Sequence, residues 1–318
     1  MEKELWDRLA VQTSRRYDLD VSTLTFLAEE TNWLYTVSNQ NGVRYLLKLY
    51  PEGWKTATTV DMETHVLHHI REDGHVEVPS IYEAKDGSRI QTFTIGKNRV
   101  IQAMVYTWLE GDVLDERETD ERFRQLGEVT ARLHEVTARH PVKAANTLPR
   151  WDTVFYFPDE VILYDKTELA MPDSFLGVMH TVVPCLNERL RSFYSGADAE
   201  LRLLHGDLNP WNVLVDGEKM HVIDFEDCLY GLPVHDIAIA LYYYRYDDRF
   251  DFNHVKQLFF EGYGRVRPLP SVTDDTLELF MIARRVNFMN YVLQTAEAYA
   301  YIETSLPYVE AFLDKQMT

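Results

Sequence analysis

HGDLNPWNVLVDGEKMHVID, residues 205–224, places Asp207, then Asn212 five positions on and Asp224 seventeen positions on, in a run that reads loop, strand, turn, strand. The loop follows the apolar pair Leu203-Leu204 and gives way to Val213-Leu214-Val215. A second strand, Met220 to Ile223, ends at Asp224. Asp216-Gly217 between the two strands is a hairpin turn signal, because glycine supplies the positive φ that a tight turn requires. Asp207, Asn212 and Asp224 are therefore expected at one end of a small rigid sheet. One carboxylate there can orient a hydroxyl. The amide and the second carboxylate offer hard oxygen ligands for Mg²⁺ against a nucleoside triphosphate.

These residues carry a family resemblance. His205-x-Asp207-Leu208-x-Pro210-x-Asn212 resembles the catalytic loop of protein kinases, and Asp224-Phe225-Glu226 resembles their metal-binding Asp-Phe-Gly. Gly206 and Glu226 point to the aminoglycoside phosphotransferase and choline kinase branch of kinase-like small-molecule phosphotransferases. That branch usually has His where this chain has Asn209, a departure that leaves the base and metal positions intact but puts the loop's packing in question.

The resemblance implies an α+β, protein-kinase-like two-lobe fold. An N-terminal lobe, 1–108, would hold an antiparallel sheet with one key helix, and an α-rich lobe, 109–318, would hold the catalytic and acceptor groups. ATP or GTP would lie between the lobes, with Mg²⁺ on Asn212 and Asp224 and with Asp207 as the base toward a small-molecule hydroxyl.

Composition narrows the alternatives. At 318 residues and 46% hydrophobic, the chain can build one large or two smaller cores. A formal net charge of −19 argues against nucleic acid, whose phosphates need clustered Lys and Arg, and agrees with a cationic acceptor or simply with solvated acidic faces. Two cysteines, Cys185 and Cys228, in no Cys-x-x-Cys pair give neither a disulfide framework nor a zinc site. The charged start MEKELWDRLA and the lack of a long apolar run lead to the expectation of a cytoplasmic protein with no membrane partner. Oligomeric state is not legible.

Strand patterns at Phe26-Leu27, Trp33 to Val37 and Val43 to Leu49, with the Asn41-Gly42 turn, predict a hairpin-rich start after a first helix. Lys48 falls among Leu46, Leu47 and Leu49. It lies either on a solvent face or, as the resemblance implies, against nucleotide phosphates. A helix over Thr59 to Ile70 carries Glu63 on its apolar stripe, where a carboxylate is costly unless paired, and in the resembled kinases such a Glu pairs with the strand Lys. No Gly-rich loop is present, so the segment holding Thr31 and Asn32 would have to cradle the phosphates.

Further strands are expected at Ile81-Tyr82, Arg89 to Thr94 and Val100 to Trp108. The resemblance implies that Tyr106, Thr107, Trp108 and Leu109 form the base-facing hinge, with Met104 a candidate wall or an ordinary core residue. Helical spacing then dominates: Asp120 to Glu135, Asp173 to Tyr194 with a break near Pro184, Val234 to Tyr244, Val255 to Tyr263 and Thr276 to Gln294. Asn146 to Asp165 reads as either a substrate-covering insertion or a packed loop. Asp236 would cap its helix or anchor the catalytic loop. The tyrosines at 242–246 either line a cation pocket or pack between helices. A protein Ser/Thr kinase and a non-catalytic nucleotide-binding scaffold of the same fold are the competing readings.

Overall fold

The computed structural model describes residues 2–29, 32–51, 55–96, 99–142, 149–156, 161–164, 171–197, 200–295 and 297–317. These form two compact units, 1–117 with 212–226, and 118–211 with 227–318. The expected boundary after residue 108 thus falls within the first unit. That unit also takes in the hairpin at 212–226, because the short strand Asp112–Val113 pairs with it.

In unit 1, helix α1 (Glu2–Ser14) precedes strands β1 (Val21–Glu29), β2 (Trp33–Asn39) and β3 (Arg44–Tyr50), then helix α2 (Ala57–Asp73) and strands β4 (Gln91–Ile95) and β5 (Arg99–Thr107). The sheet order is β1-β2-β3-β5-β4, and every pairing is antiparallel. Period-two alternation sorts β3 onto two faces. Leu47 and Leu49 join Trp6, Leu9, Trp33 and Tyr35 in one core, while Tyr50 and Leu46 join Val60, Met104 and Tyr106 in another. Trp6 of α1 stacks on Trp33 at 5.3 Å, which fixes that helix to the sheet.

Helix α2 begins at a reciprocal cap between Thr56 and Thr59 and ends at Gly74 in the left-handed conformation. Ile81 makes only an isolated bridge to Tyr106, so the expected strand there is not formed. Strand β6 (Asp112–Val113) borders β8 (Val213–Asp216), which pairs in turn with β9 (Lys219–Val222).

Unit 2 contains helices α3 (Asp120–Arg139) and α4 (Phe175–Tyr194), strands β7 (Arg202–Leu204) and β10 (Leu229–Gly231), and helices α5 (Val234–Arg245), α6 (Phe252–Val266), α7 (Asp274–Val292) and α8 (Ala298–Met317). Helices α3 and α6 cross backbone to backbone. A Cβ on Gly127 would stand 2.0 Å from the Phe259 carbonyl oxygen, and one on Gly262 would stand 1.8 Å from that of Arg124.

Helix α4 runs through Pro184 without the expected break. The carbonyl that Pro184 cannot satisfy belongs to exposed His180, and Met179, Val182, Val183 and Leu186 are buried on the other side. In the 146–165 segment, of which 146–148, 157–160 and 165 lie outside the described residues, Trp151 is buried and the Pro149 carbonyl accepts from Tyr230 N–H. Its described part is therefore an anchored loop. No helix among the described residues is long and apolar enough to cross a membrane.

Candidate active site

Unit 1 gathers a buried polar cluster under its sheet. Lys48 lies on the α2 side of β3 and is 6% exposed, which removes the solvent-face alternative. Its Nζ donates to Asp224 Oδ1 at 2.9 Å and to Glu226 Oε1 at 2.6 Å. Burial alone would lower the affinity of this amine for its proton, but the charges of Asp224 and Glu226 outweigh it and hold Lys48 above the usual lysine range. Glu226 also accepts from Asn32 Nδ2 at 2.9 Å and from the Tyr50 hydroxyl at 3.1 Å. The Tyr50 and Tyr106 hydroxyls meet at 3.0 Å.

The expected Lys48–Glu63 pair is not formed. Glu63 accepts instead from Lys55 Nζ at 2.8 Å, with both side chains buried. Lys55 immediately precedes the cap of α2, so the chain brings it back onto its own helix, while two other carboxylates already compensate Lys48. Burial would lower Lys55, and Glu63 reverses that and raises it.

Asn32 is turned inward to Glu226, so its side-chain amide is committed there, and Thr31 lies outside the described residues. In the hinge, Tyr106 joins the polar cluster and Met104 is core. Thr107 Oγ1 accepts from Ser80 N–H at 2.8 Å, the Arg44 guanidinium covers the Trp108 ring, and Leu109 lies in irregular chain just after β5.

Asn212 and Asp224 flank the open end of the β8–β9 hairpin, where Ile223 N–H donates to the Asn212 carbonyl oxygen at 3.0 Å. Asp224 adopts φ +63°, a left-handed conformation uncommon outside glycine and a mark of imposed geometry. Both residues fit Mg²⁺. They offer hard oxygen donors, the Asp224 side chain is 39% exposed, and the carboxylates of Glu63, Asp224 and Glu226 outnumber the ammonium groups of Lys48 and Lys55 by one. Elsewhere on α2, ligand atoms of His68, His69 and Glu72 lie within 4.8 Å of one another on the helix exterior.

Unit 2 holds Asp207. Asp236, fully buried on α5, accepts from the backbone N–H groups of His205 and Gly206, each at 3.0 Å, and so anchors the loop. Gly206 has φ +86°, and a Cβ there would come 2.1 Å from the Asp227 carbonyl oxygen, so only glycine fits. Asn209 answers the packing question raised by the missing His. Its Nδ2 donates to Asp207 Oδ2 at 2.9 Å, and its Oδ1 accepts from Trp211 N–H at 2.9 Å. Arg284 Nη2 donates to Asp207 Oδ1 at 2.6 Å, a contact that no local sequence pattern predicts.

The tyrosine tract serves an internal cation. The Arg285 guanidinium lies 3.9 Å from the Tyr246 ring centroid, 4.6 Å from that of Tyr308 and 5.2 Å from that of Tyr242.

Two buried histidines support this unit. His134 Nε2 donates to Asp236 at 3.1 Å while its Nδ1 meets the Tyr263 hydroxyl at 2.9 Å. His235 lies between Trp151 and Phe280, at 3.9 and 4.2 Å between ring centroids. Burial lowers both below the ordinary value of 6.5, His235 strongly. The unfolded chain therefore takes up these protons first, and stability that is full above pH 6.5 is lost as pH falls, by at most about 1.4 kcal/mol per pH unit for each histidine. The melting temperature is expected to drop between pH 7.5 and 5.5, and His235→Phe to flatten that drop. An unchanged slope in the variant would assign the pH dependence elsewhere.

An antiparallel sheet with one helix carrying a buried Glu, followed by an α-rich unit with this loop, defines the protein-kinase-like phosphotransferase class. The model of the APH family, the "Phosphotransferase enzyme family", matches residues 21–269, and the chain belongs to that family. It is 25% identical over 276 residues to a homoserine kinase of Rhodopseudomonas palustris (strain BisB18), covering 82% of this chain and 77% of that one. Among solved structures, amicoumacin kinase in complex with AMP-PNP, Ca²⁺ and Ami superposes with a TM-score of 0.80 at 20% identity, covering 99% of this chain and 96% of that one. A microcompartment-associated aminopropanol kinase gives 0.76 at 24% identity, covering 97% and 98%.

Proposed function

We propose that this protein transfers the γ-phosphate of ATP or GTP, in a Mg²⁺-dependent reaction, to a hydroxyl of a small molecule. The observation that supports this reading best is the Lys48 ammonium held between Asp224 and Glu226, a fixed positive charge beside two carboxylates. Kinase activity on small-molecule hydroxyls agrees with the family and with the similarity to homoserine kinase.

Unit 1 supplies the groups for the nucleotide. Lys48 meets phosphate charge, and Asn212 and Asp224 would hold the metal ion, which when bound supplies charge neutralisation at the phosphates. Unit 2 supplies Asp207, and Leu208 to Trp211 is the chain that joins it to Asn212. Asp207 orients the acceptor hydroxyl and takes its proton. The acceptor oxygen forms the new bond to phosphorus as the bond to the β-phosphate oxygen breaks, and a nucleoside diphosphate leaves. Because the transition state is loose, positioning and charge carry most of the rate.

The test is a screen of hydroxy amino acids, amino alcohols, sugars and aminoglycosides with ATP or GTP, with and without chelator. Acceptor-dependent, Mg²⁺-dependent release of nucleoside diphosphate is expected. Nucleotide binding without turnover of any acceptor would favour a scaffold, and turnover confined to peptides a protein kinase.

A further inference from the structure

We propose that Arg284 is the recognition residue for a carboxylate on the acceptor, and that this chain therefore acts on short hydroxy acids, hydroxy amino acids above all. The inference rests on the phosphotransferase reading and names its substrate class. Arg284 lies on α7 within the apolar run Phe280 to Val286, and its side chain is 9% exposed. A guanidinium in such a place needs anionic or carbonyl partners for its fork of donors. One Nη2 bond goes to Asp207, yet the solvent-shielded Nε has no acceptor among the described residues.

The neighbouring Arg285 also has an Nε without an acceptor among the described residues, but its surroundings differ. It donates to Ser305 Oγ at 2.7 Å and is ringed by tyrosines. Arg284 instead stands against the proposed base, and a carboxylate is the group that matches a guanidinium fork two bonds at a time. The Tyr243 hydroxyl accepts a hydrogen bond from Arg284, and Trp211, 45% exposed, meets the Tyr243 ring edge-on at 4.9 Å, so aromatic surface lies beside the guanidinium for a short carbon chain.

The same contact couples recognition to chemistry. Without acceptor, Asp207 Oδ1 is engaged by Arg284 and Oδ2 by Asn209. An incoming carboxylate that draws the guanidinium to itself releases Oδ1 for the acceptor hydroxyl, so the base becomes available when the correct substrate arrives. A water molecule offers no such exchange, which restrains unproductive hydrolysis of the nucleotide.

The experiment compares homoserine with 3-amino-1-propanol, the same chain without its carboxylate, in the wild type, Arg284→Gln and Arg284→Lys. The wild type is expected to prefer the acid by roughly 10²-fold or more in kcat/KM, since a site built for a polar group rejects the analogue lacking it. In Arg284→Gln that preference collapses, mainly through KM for the acid, and acceptor-independent hydrolysis rises; Arg284→Lys recovers part of the preference. Equal use of acid and amino alcohol by the wild type, or wild-type turnover confined to acceptors without a carboxylate, overturns the proposal while leaving phosphotransfer standing. An equal fall for both acceptors in Arg284→Gln, through kcat alone, makes Arg284 a brace for Asp207 and also overturns it. The wild-type comparison holds even if a variant fails to fold. Absence of turnover with every hydroxyl compound tried rejects the phosphotransferase reading itself.

Discussion

Replacing Asp207 by Asn is expected to lower kcat by about 10²-fold or more, the usual range for loss of a general base, while Mg·ATP affinity changes little. The affinity should persist because Lys48, Asn212 and Asp224, the groups proposed for the nucleotide, belong to unit 1, whereas Asp207 belongs to unit 2. Asn retains one acceptor oxygen, so either Arg284 or Asn209 keeps its hydrogen bond, but the other then faces an NH₂ group. The substitution also removes the carboxylate charge from the buried Arg284. Some loss of stability is therefore expected along with the kinetic loss, and the assay belongs well below the variant's own melting temperature. Near-normal turnover by folded Asp207→Asn would reduce Asp207 to a brace for its loop. A kinetic loss that disappears once the folded fraction is accounted for would do the same.

What the chain disclosed in advance follows from how local each feature is. The spacing of Asp207, Asn212 and Asp224 is set by a loop and a hairpin within one continuous stretch, and the hairpin register from Val213–Val222 to Asp216–Lys219 follows from its turn. Lys48 stood out as a charge among leucines, and Asp236 as a carboxylate opening an apolar helix; both are buried.

Partners chosen in three dimensions are not encoded by local pattern. Glu63, a carboxylate on an apolar helix stripe, needs a cation. Two buried lysines compete for it, however, and periodicity cannot say that Lys55 wins while Lys48 turns to Glu226. In the sequence Glu226 is legible only as a family marker, although it gathers donors from Lys48, Asn32 and Tyr50. Arg284 carried the same signal as Lys48, a charge inside an apolar run. Its significance depends on a contact with Asp207, 77 positions away, that no local pattern encodes. Propensity alone predicts a break at Pro184, and the packing of α4 overrides it.

Lys48→Met is expected to lower turnover by roughly 10²- to 10³-fold, the range for removing one preorganised donor from developing negative charge, and to weaken nucleotide binding as well. The variant should also be less stable. Lys48 and Glu226 are both buried, at 8% and 7% side-chain exposure, and deleting one member of such a pair costs about 3–5 kcal/mol because the other charge is left uncompensated. The two effects can be separated. Lys48→Met combined with Glu226→Gln removes the stranded charge, keeps acceptors for Asn32 and Tyr50, and should recover much of the melting temperature. Turnover should stay low in the double variant, since no cation has been returned to the phosphates. Glu63→Gln provides the contrast: it strips the partner from Lys55 and leaves the Lys48–Asp224–Glu226 bonds in place, so its cost should fall more on stability than on kcat. If the double variant regains activity in step with stability, Lys48 serves only to neutralise Glu226, and the phosphate-binding role passes to other groups.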